Sequence, residues 1–176
     1  GIKIQVKKKS KKKKKVRYFK DKIQEAISPF FFDNHQKLSC ITSAMHLIKI
    51  LTAESQTNNS VYYLIENFYV LLRKDNWIKN YIFWELELFK ELGYDLRLKD
   101  LVDQKIINNE IQYISKSSIN KKIVPNFLID KTENIEDLKT LLSGLKLIGD
   151  YLDKTILKPN NLTQPISRLQ FINTLK

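Results

Sequence analysis

The sequence predicts a mainly α-helical, bundle-like domain preceded by a two-stranded basic hairpin. Only four of the 176 residues are glycine and four are proline, a composition that favours long helices over a many-turned β protein. Apolar residues make up 43% of the chain and aromatic residues 11%, which is enough to bury a hydrophobic core. The sequence contains neither an apolar stretch of about 18 residues nor a signal-peptide core, so we expect a cytoplasmic protein.

The hairpin is expected to form a separate unit, residues 1–27. Apolar and polar side chains alternate along residues 2–6, and Val16 and Tyr18 resume the alternation after a polar run. This period-two pattern predicts two strands joined by a basic loop over residues 7–15. Because two strands alone are marginally stable in water, they need further sheet or a helix to pack against.

Positive charge is concentrated at the start of the chain. The formal net charge is +12, yet residues 1–22 hold twelve basic residues and one acidic residue, which leaves the remainder nearly neutral. Such a block stays in solvent and attracts polyanions, namely nucleic acid, anionic lipid or an acidic protein segment. An A/T-rich genome would also inflate lysine content, so compositional drift remains an alternative. The residues expected to contact DNA are Lys7, Lys8, Lys9, Lys11, Lys12, Lys13, Lys14, Lys15, Arg17 and Tyr18.

Residues 28–176 are expected to form the helical domain, and three helices come first. Asn34 is suited to cap the first helix, and the second begins after Ser60. Asp75 opens the third helix, which ends at Gly93, a residue typical of helix C-termini. The third helix is apolar on most of its circumference, so we expect it to be central and the most buried.

The second half of this domain is less regular at first. Residues 94–133 are expected to contain a short strand or two, around Ile111 and Tyr113. A fourth helix is predicted from about residue 134 to residue 157, and a final short helix over residues 165–175.

The sequence contains no recognisable catalytic motif. A Gly-rich phosphate loop, Gly-x-Ser-x-Gly and His-Glu-x-x-His are all missing. His46 is expected to be a core or boundary histidine whose hydrogen bonds are satisfied, and Cys40 a small buried hydrophobe. A single cysteine excludes a disulfide framework and a cysteine-based zinc site. We therefore expect a non-enzymatic protein with no catalytic residue, no metal site and no cofactor.

One segment carries a specific family resemblance. Residues 84–96, WELELFKELGYDL, resemble the central helix and turn of the bacterial recombination mediator RecO family, which reads aromatic-Glu-Leu-x-Leu-Leu-x-x-Leu-Gly-Tyr. Residues 58–72 are similar to that family's second helix, and residues 111–118 to its short strand and serine-containing turn. Residues 157–169 are similar to its C-terminal loop and last helix. The resemblance covers roughly residues 16–176.

The resemblance implies a fold and a function. RecO proteins have an N-terminal OB-fold and a C-terminal helical domain, so the hairpin would be the remnant or the last two strands of that barrel. The family binds single- and double-stranded DNA, anneals complementary strands, and helps load RecA on strands covered by single-strand binding protein, together with RecR. A bacterial, nucleoid-associated protein is implied.

Two departures from the family pattern bear on sites. Many members have a cysteine zinc site after the Gly-Tyr turn, whereas Leu101 and Gln104 lie near those positions here, so no zinc is expected. Some members have arginine before the central aromatic residue, in the pocket for the acidic, Phe-ended tail of single-strand binding protein. Ile82 and Phe83 stand there instead. The residues expected to bind that partner are Lys79, one turn earlier, with Lys90 and Leu92.

Two other functional classes remain open from the sequence. A general basic protein associated with RNA or ribosomes would bind ribosomal RNA as well as DNA, without annealing. A helical protein-interaction scaffold would keep its partners when the lysine run is removed.

Overall fold

A computed structural model describes residues 14, 17–22, 34–52, 60–116, 121–131, 134 and 136–176. The helices are α1 (His35–Leu51), α2 (Ser60–Leu71), α3 (Trp77–Glu91), α4 (Asn126–Asp130), α5 (Leu138–Tyr151) and α6 (Ile166–Thr174). One antiparallel sheet contains β1 (Val102–Ile107), β2 (Glu110–Ser115) and β3 (Ile123–Val124), in that order. The mainly helical prediction is therefore confirmed. None of the described helices is long and apolar enough to cross a bilayer.

The helix α1 begins at its predicted cap and α3 ends at the predicted glycine, whereas α3 begins at Trp77, after Asn76, rather than at Asp75. The Asn34 side chain accepts a hydrogen bond from the Lys37 amide at 3.0 Å, which satisfies one of the free N–H groups of the first turn of α1. The helix α3 ends just before Gly93, whose φ of 91° is the left-handed conformation that glycine adopts easily.

The helix α3 is the centre of the core, as predicted. Its Tyr81, Ile82, Leu88 and Phe89 are fully buried. The Trp84 indole N–H donates to the Leu64 carbonyl of α2 at 2.8 Å, so this buried polar group is satisfied. Aromatic rings of three helices gather around Tyr81, namely those of Phe68, Trp84 and Phe171.

The predicted strands around Ile111 and Tyr113 are confirmed as part of a hairpin. Asn108 and Asn109 form its two-residue turn with φ of 52° and 62°, the left-handed values that a tight hairpin turn requires. Tyr113 pairs with Val124 of β3, and these two side chains are buried. The Tyr113 hydroxyl donates to Asp130 at 2.8 Å, and this bond raises the pKa of Tyr113.

The fourth long helix begins later than predicted. Asp137 caps α5 by accepting from the Thr140 amide at 2.8 Å, so the helix starts at Leu138 rather than near residue 134. The chain then continues as a π-helical segment, Leu152–Leu157, and a short 3₁₀ turn, Lys158–Asn160. The final helix, α6, follows Pro165 as expected.

The second strand of the basic hairpin was wrongly predicted. Residues 17–22 are helical and pack on α2, and Lys14 is also helical. Phe19 is buried with its ring 5.5 Å from that of Phe68, and the Lys22 ammonium lies over the Tyr18 ring, a contact between residues one helical turn apart. The alternation was too short to exclude a helix, and α2 supplies the apolar surface that a helix can bury against. The first strand, residues 2–6, and the loop up to residue 13 lie outside the described residues.

A buried ion pair fastens α6 to α3. The Arg168 guanidinium donates to both carboxylate oxygens of Glu85, at 2.9 and 2.7 Å, and its side chain is 1% exposed. The Tyr81 hydroxyl donates to the same carboxylate at 2.7 Å. Burial raises the pKa of Tyr81 well above its usual value, and the Glu85 carboxylate raises it further. Burial alone would lower the pKa of Arg168, but its pairing with Glu85 raises it.

Candidate functional site

The described part of the basic segment lies on the surface beside α2. Lys14 and Arg17 are exposed. Tyr18 is half-buried, because its hydroxyl donates to Glu66 of α2 at 2.6 Å and its ring meets that of Tyr62 edge-on. Tyr18 therefore anchors this segment to the helical body. The other residues expected to contact DNA lie outside the described residues: Lys7, Lys8, Lys9, Lys11, Lys12, Lys13 and Lys15.

A second surface feature is a cavity of about 850 Å³ beside α3. Its walls are one face of α3, the segment 95–100 that follows it, and the end of α4. Its apolar side chains are Phe83, Leu86, Leu96, Leu98, Leu128 and Ile129. The described residues that line it include the cations Lys74, Lys79, Lys90, Arg97, Lys99 and Lys131, against three carboxylates, Glu87, Asp95 and Asp100. We call this cavity the α3 pocket. An apolar floor with an excess of cations suits a ligand that is both apolar and anionic.

Lys79 is the one buried cation among the described residues that line the α3 pocket. Its ammonium donates to the Asn134 carbonyl at 2.5 Å and lies 3.8 Å from the Glu136 carboxylate. The Lys79 side chain is 5% exposed, so its charge is already balanced within the fold. An incoming anion would therefore meet the exposed cations of the pocket first, such as Lys90 and Arg97.

Two cations of the α3 pocket sit on left-handed backbone. Arg97 has a φ of 32° and Lys131 a φ of 47°, a conformation that is uncommon for residues other than glycine. The Asp95 side chain supports the first of these turns by accepting from the Arg97 amide at 3.3 Å. Strained residues persist where the surrounding structure holds them, and they concentrate at functional sites.

The structure brings together two of the three residues expected to bind the acidic partner. Lys79 and Lys90 line the α3 pocket, whereas Leu92 packs against the core. Sequence reasoning missed Arg97, six residues after the end of α3, and Lys131, which the chain brings back to α3 over about 40 residues. Their left-handed backbone left no signal in the sequence.

The residues at the family's zinc position do not fit a metal. Leu101 and Gln104 lie at the start of the hairpin and supply no thiolate. Within the described ranges, no three His, Cys, Asp or Glu side chains come together as metal ligands. The hairpin is held by hydrogen bonds. The Asn126 side-chain amide donates to the Ile111 carbonyl at 2.7 Å, and the Lys116 backbone N–H donates to the Leu101 carbonyl at 2.9 Å.

Two side chains of α1 that could carry chemistry have structural roles instead. His46 Nδ1 lies 2.7 Å from the Ser167 hydroxyl of α6, which confirms a satisfied boundary histidine. Cys40 is fully buried, and burial raises its pKa well above the usual value, so the reactive thiolate is disfavoured.

Comparison with known protein families shows which family the chain belongs to. Residues 33–128, more than half of the chain, match the family model described as Recombination protein O C terminal. The chain belongs to this family. The matched RecO residues run from the cap of α1 to α4, and so include most of the α3 pocket. Membership in the RecO family gives the chain a role in DNA recombination and repair and associates it with DNA. No curated protein and no solved structure matches the chain.

Proposed function

We propose that the protein is a non-enzymatic recombination mediator. It binds single- and double-stranded DNA, promotes annealing, and helps load RecA on strands covered by single-strand binding protein, with RecR as a further partner. One observation carries this proposal. The same chain contains a RecO-family helical domain and a run of eight lysines in residues 7–15. Only Val16 separates that run from Arg17, which is exposed on the surface beside α2.

The proposed mechanism is charge neutralisation. Two complementary strands repel each other through their phosphates, and lysines that cover those phosphates reduce the repulsion that opposes pairing. The body contributes little to this effect, because residues 23–176 are nearly neutral overall. The lysine run therefore supplies most of the attraction for DNA.

The α3 pocket supports the proposed contact with the acidic tail of single-strand binding protein. A terminal Phe ring would enter between the apolar side chains, and the tail carboxylates would pair with exposed cations. Since Lys79 already pairs with Glu136, the pairing would depend on Lys90, Arg97 and Lys131.

Neutralising exposed cations of the α3 pocket should weaken binding of an acidic peptide that ends in Phe. We expect the double variant Lys90→Gln/Arg97→Asn to lose about 1–3 kcal/mol of binding free energy, the range for lost anchors. Asparagine at position 97 keeps a residue that tolerates left-handed backbone. Fluorescence anisotropy with a labelled peptide measures the change.

The matched control for the peptide experiment is Lys146→Gln, an exposed cation of α5 outside the α3 pocket. A peptide without its terminal Phe should bind weakly to every variant. If the double variant and the control bind the intact peptide with equal affinity, the α3 pocket is not the binding site of the peptide.

Annealing of covered strands tests the proposed function itself. Complementary oligonucleotides coated with single-strand binding protein should anneal faster when this protein is added, and the acceleration should be smaller when the coating protein lacks its acidic tail. Equal affinity for ribosomal RNA and DNA without annealing would favour a general RNA-binding protein. Binding of partner proteins without any nucleic-acid binding would favour a helical scaffold.

A further inference from the structure

The outward face of α2 carries an unusual number of aromatic side chains for a solvent surface. Tyr62 and Tyr69 are half-buried, and Tyr63 is 67% exposed. Residues 62, 66, 69 and 73 follow helical spacing, and residues 63 and 70 flank them, so these positions share one side of the helix. We call this side the tyrosine face. The opposite side of α2 supplies the core residues Val61, Leu64, Ile65, Phe68 and Leu71, and Tyr69 packs partly against that core.

Cations border the tyrosine face at both ends. At its start lies the helical segment 17–22, with Arg17, Lys20 and Lys22. At its end the Arg73 guanidinium lies over the Tyr69 ring, 4.8 Å from the centroid, and donates to its hydroxyl at 2.8 Å.

Two carboxylates accompany these cations. The exposed Asp21 belongs to the helical segment. Glu66 accepts the Tyr18 hydroxyl at 2.6 Å, so its carboxylate helps to hold that segment on α2. Among the residues that the structure describes, cations therefore outnumber carboxylates around the tyrosine face, and the lysine run of residues 7–15 adjoins it in the sequence.

We propose that the tyrosine face is a stacking platform for single-stranded DNA. Exposed bases would stack on the Tyr63 ring, while the cations at the two ends of the face, Arg73 among them, contact phosphates. Aromatic side chains beside a positively charged track are how proteins hold single strands without sequence preference, because every base has a π-face. This inference rests on the proposed DNA-binding function and adds to it a site on the helical body.

A single strand fits these features better than a duplex does. Bases in a duplex are already stacked on each other and offer no free face to a tyrosine. Cations alone would serve both forms of DNA, so the exposed tyrosine ring is the feature that distinguishes them. Single-stranded binding should therefore depend on Tyr63, whereas duplex binding should not.

The test compares Tyr63→Ala, Tyr63→Phe and Arg73→Gln by anisotropy on a labelled oligo(dT) and on a duplex of equal length. Tyr63→Ala should weaken oligo(dT) binding roughly 5- to 150-fold, the range for one lost stacking partner. Its salt dependence and duplex affinity should not change, because no charge is removed. Tyr63→Phe should bind like the wild type. Arg73→Gln should flatten the salt slope by about 0.7, the contribution of one phosphate.

The control is Tyr94→Ala, which removes a 36% exposed tyrosine just after α3. Circular dichroism should show equal helix content for all variants, since Tyr63 is solvent-exposed. The proposal is overturned if Tyr63→Ala binds oligo(dT) like the Tyr94→Ala control, or loses single-strand and duplex affinity equally, and the proposed DNA function then still stands. Absence of DNA binding by the wild type would overturn both.

Discussion

Replacing Arg168 by methionine should lower the free energy of unfolding by about 3–5 kcal/mol, because it leaves the Glu85 carboxylate buried without its cation. Glu85 is fully buried, and its two oxygens accept from Arg168 at 2.9 and 2.7 Å. The same guanidinium donates to the Leu145 carbonyl of α5 at 2.9 Å and to Gln164 at 3.0 Å. One side chain thus links three helices, and its loss removes several charge-assisted hydrogen bonds at once. Urea denaturation measures the change.

Two controls separate the buried charge from simple loss of an ion pair. The double variant Arg168→Met/Glu85→Gln should recover part of the lost stability, since glutamine is neutral and still accepts from Tyr81. Lys122→Met breaks an ion pair to Asp150 that is exposed, with both side chains 55% accessible, and should change stability by less than about 1 kcal/mol. If Arg168→Met is no more destabilised than Lys122→Met, the buried pair does not hold α6 in place.

Replacing all eight lysines of residues 7–15 by glutamine should remove most of the salt dependence of single-strand binding. Each neutralised phosphate contributes about −0.7 to the log–log slope, and four to six engaged lysines predict a wild-type slope of roughly −3 to −4. The variant should keep only the slope that the cations beside α2 contribute, about −0.7 for each one that contacts a phosphate. Glutamine also keeps the helix propensity that Lys14 needs, because Lys14 is helical.

The matched control for the lysine run replaces the same eight residues by arginine, which keeps the charge. This variant should retain the steep slope. Helix content and melting temperature should be unchanged in both, because Lys14, the member of the run that the structure describes, is exposed. If the affinity of the glutamine variant still falls steeply with salt, the main DNA-binding surface lies on the helical domain and not on the lysine run.

Local sequence signals were enough to predict most of the helices. The Asn34 cap, the apolar circumference of α3 and Gly93 are features that neighbouring residues determine, and all three are confirmed. The start of α5 was misplaced because two acceptable starts lie close together, and the Asp137 cap determines which is used.

Long-range contacts account for what the sequence could not predict. The segment 17–22 is helical because Phe19 packs against Phe68, 49 positions away, and period-two patterning over a few residues cannot reveal such a partner. The ion pair of Glu85 could not be predicted, since its partner Arg168 is 83 positions distant. The α3 pocket likewise depends on segments that meet only in the fold.

The annealing rate of complementary strands tests the central claim most directly. Wild-type protein and the eightfold Lys→Gln variant of residues 7–15 are compared on bare oligonucleotides, at equal concentration and low salt. If neutralisation of phosphates by the lysine run drives mediation, the wild type anneals the strands and the variant is slower by roughly tenfold or more. A variant that anneals as fast as the wild type would contradict this account.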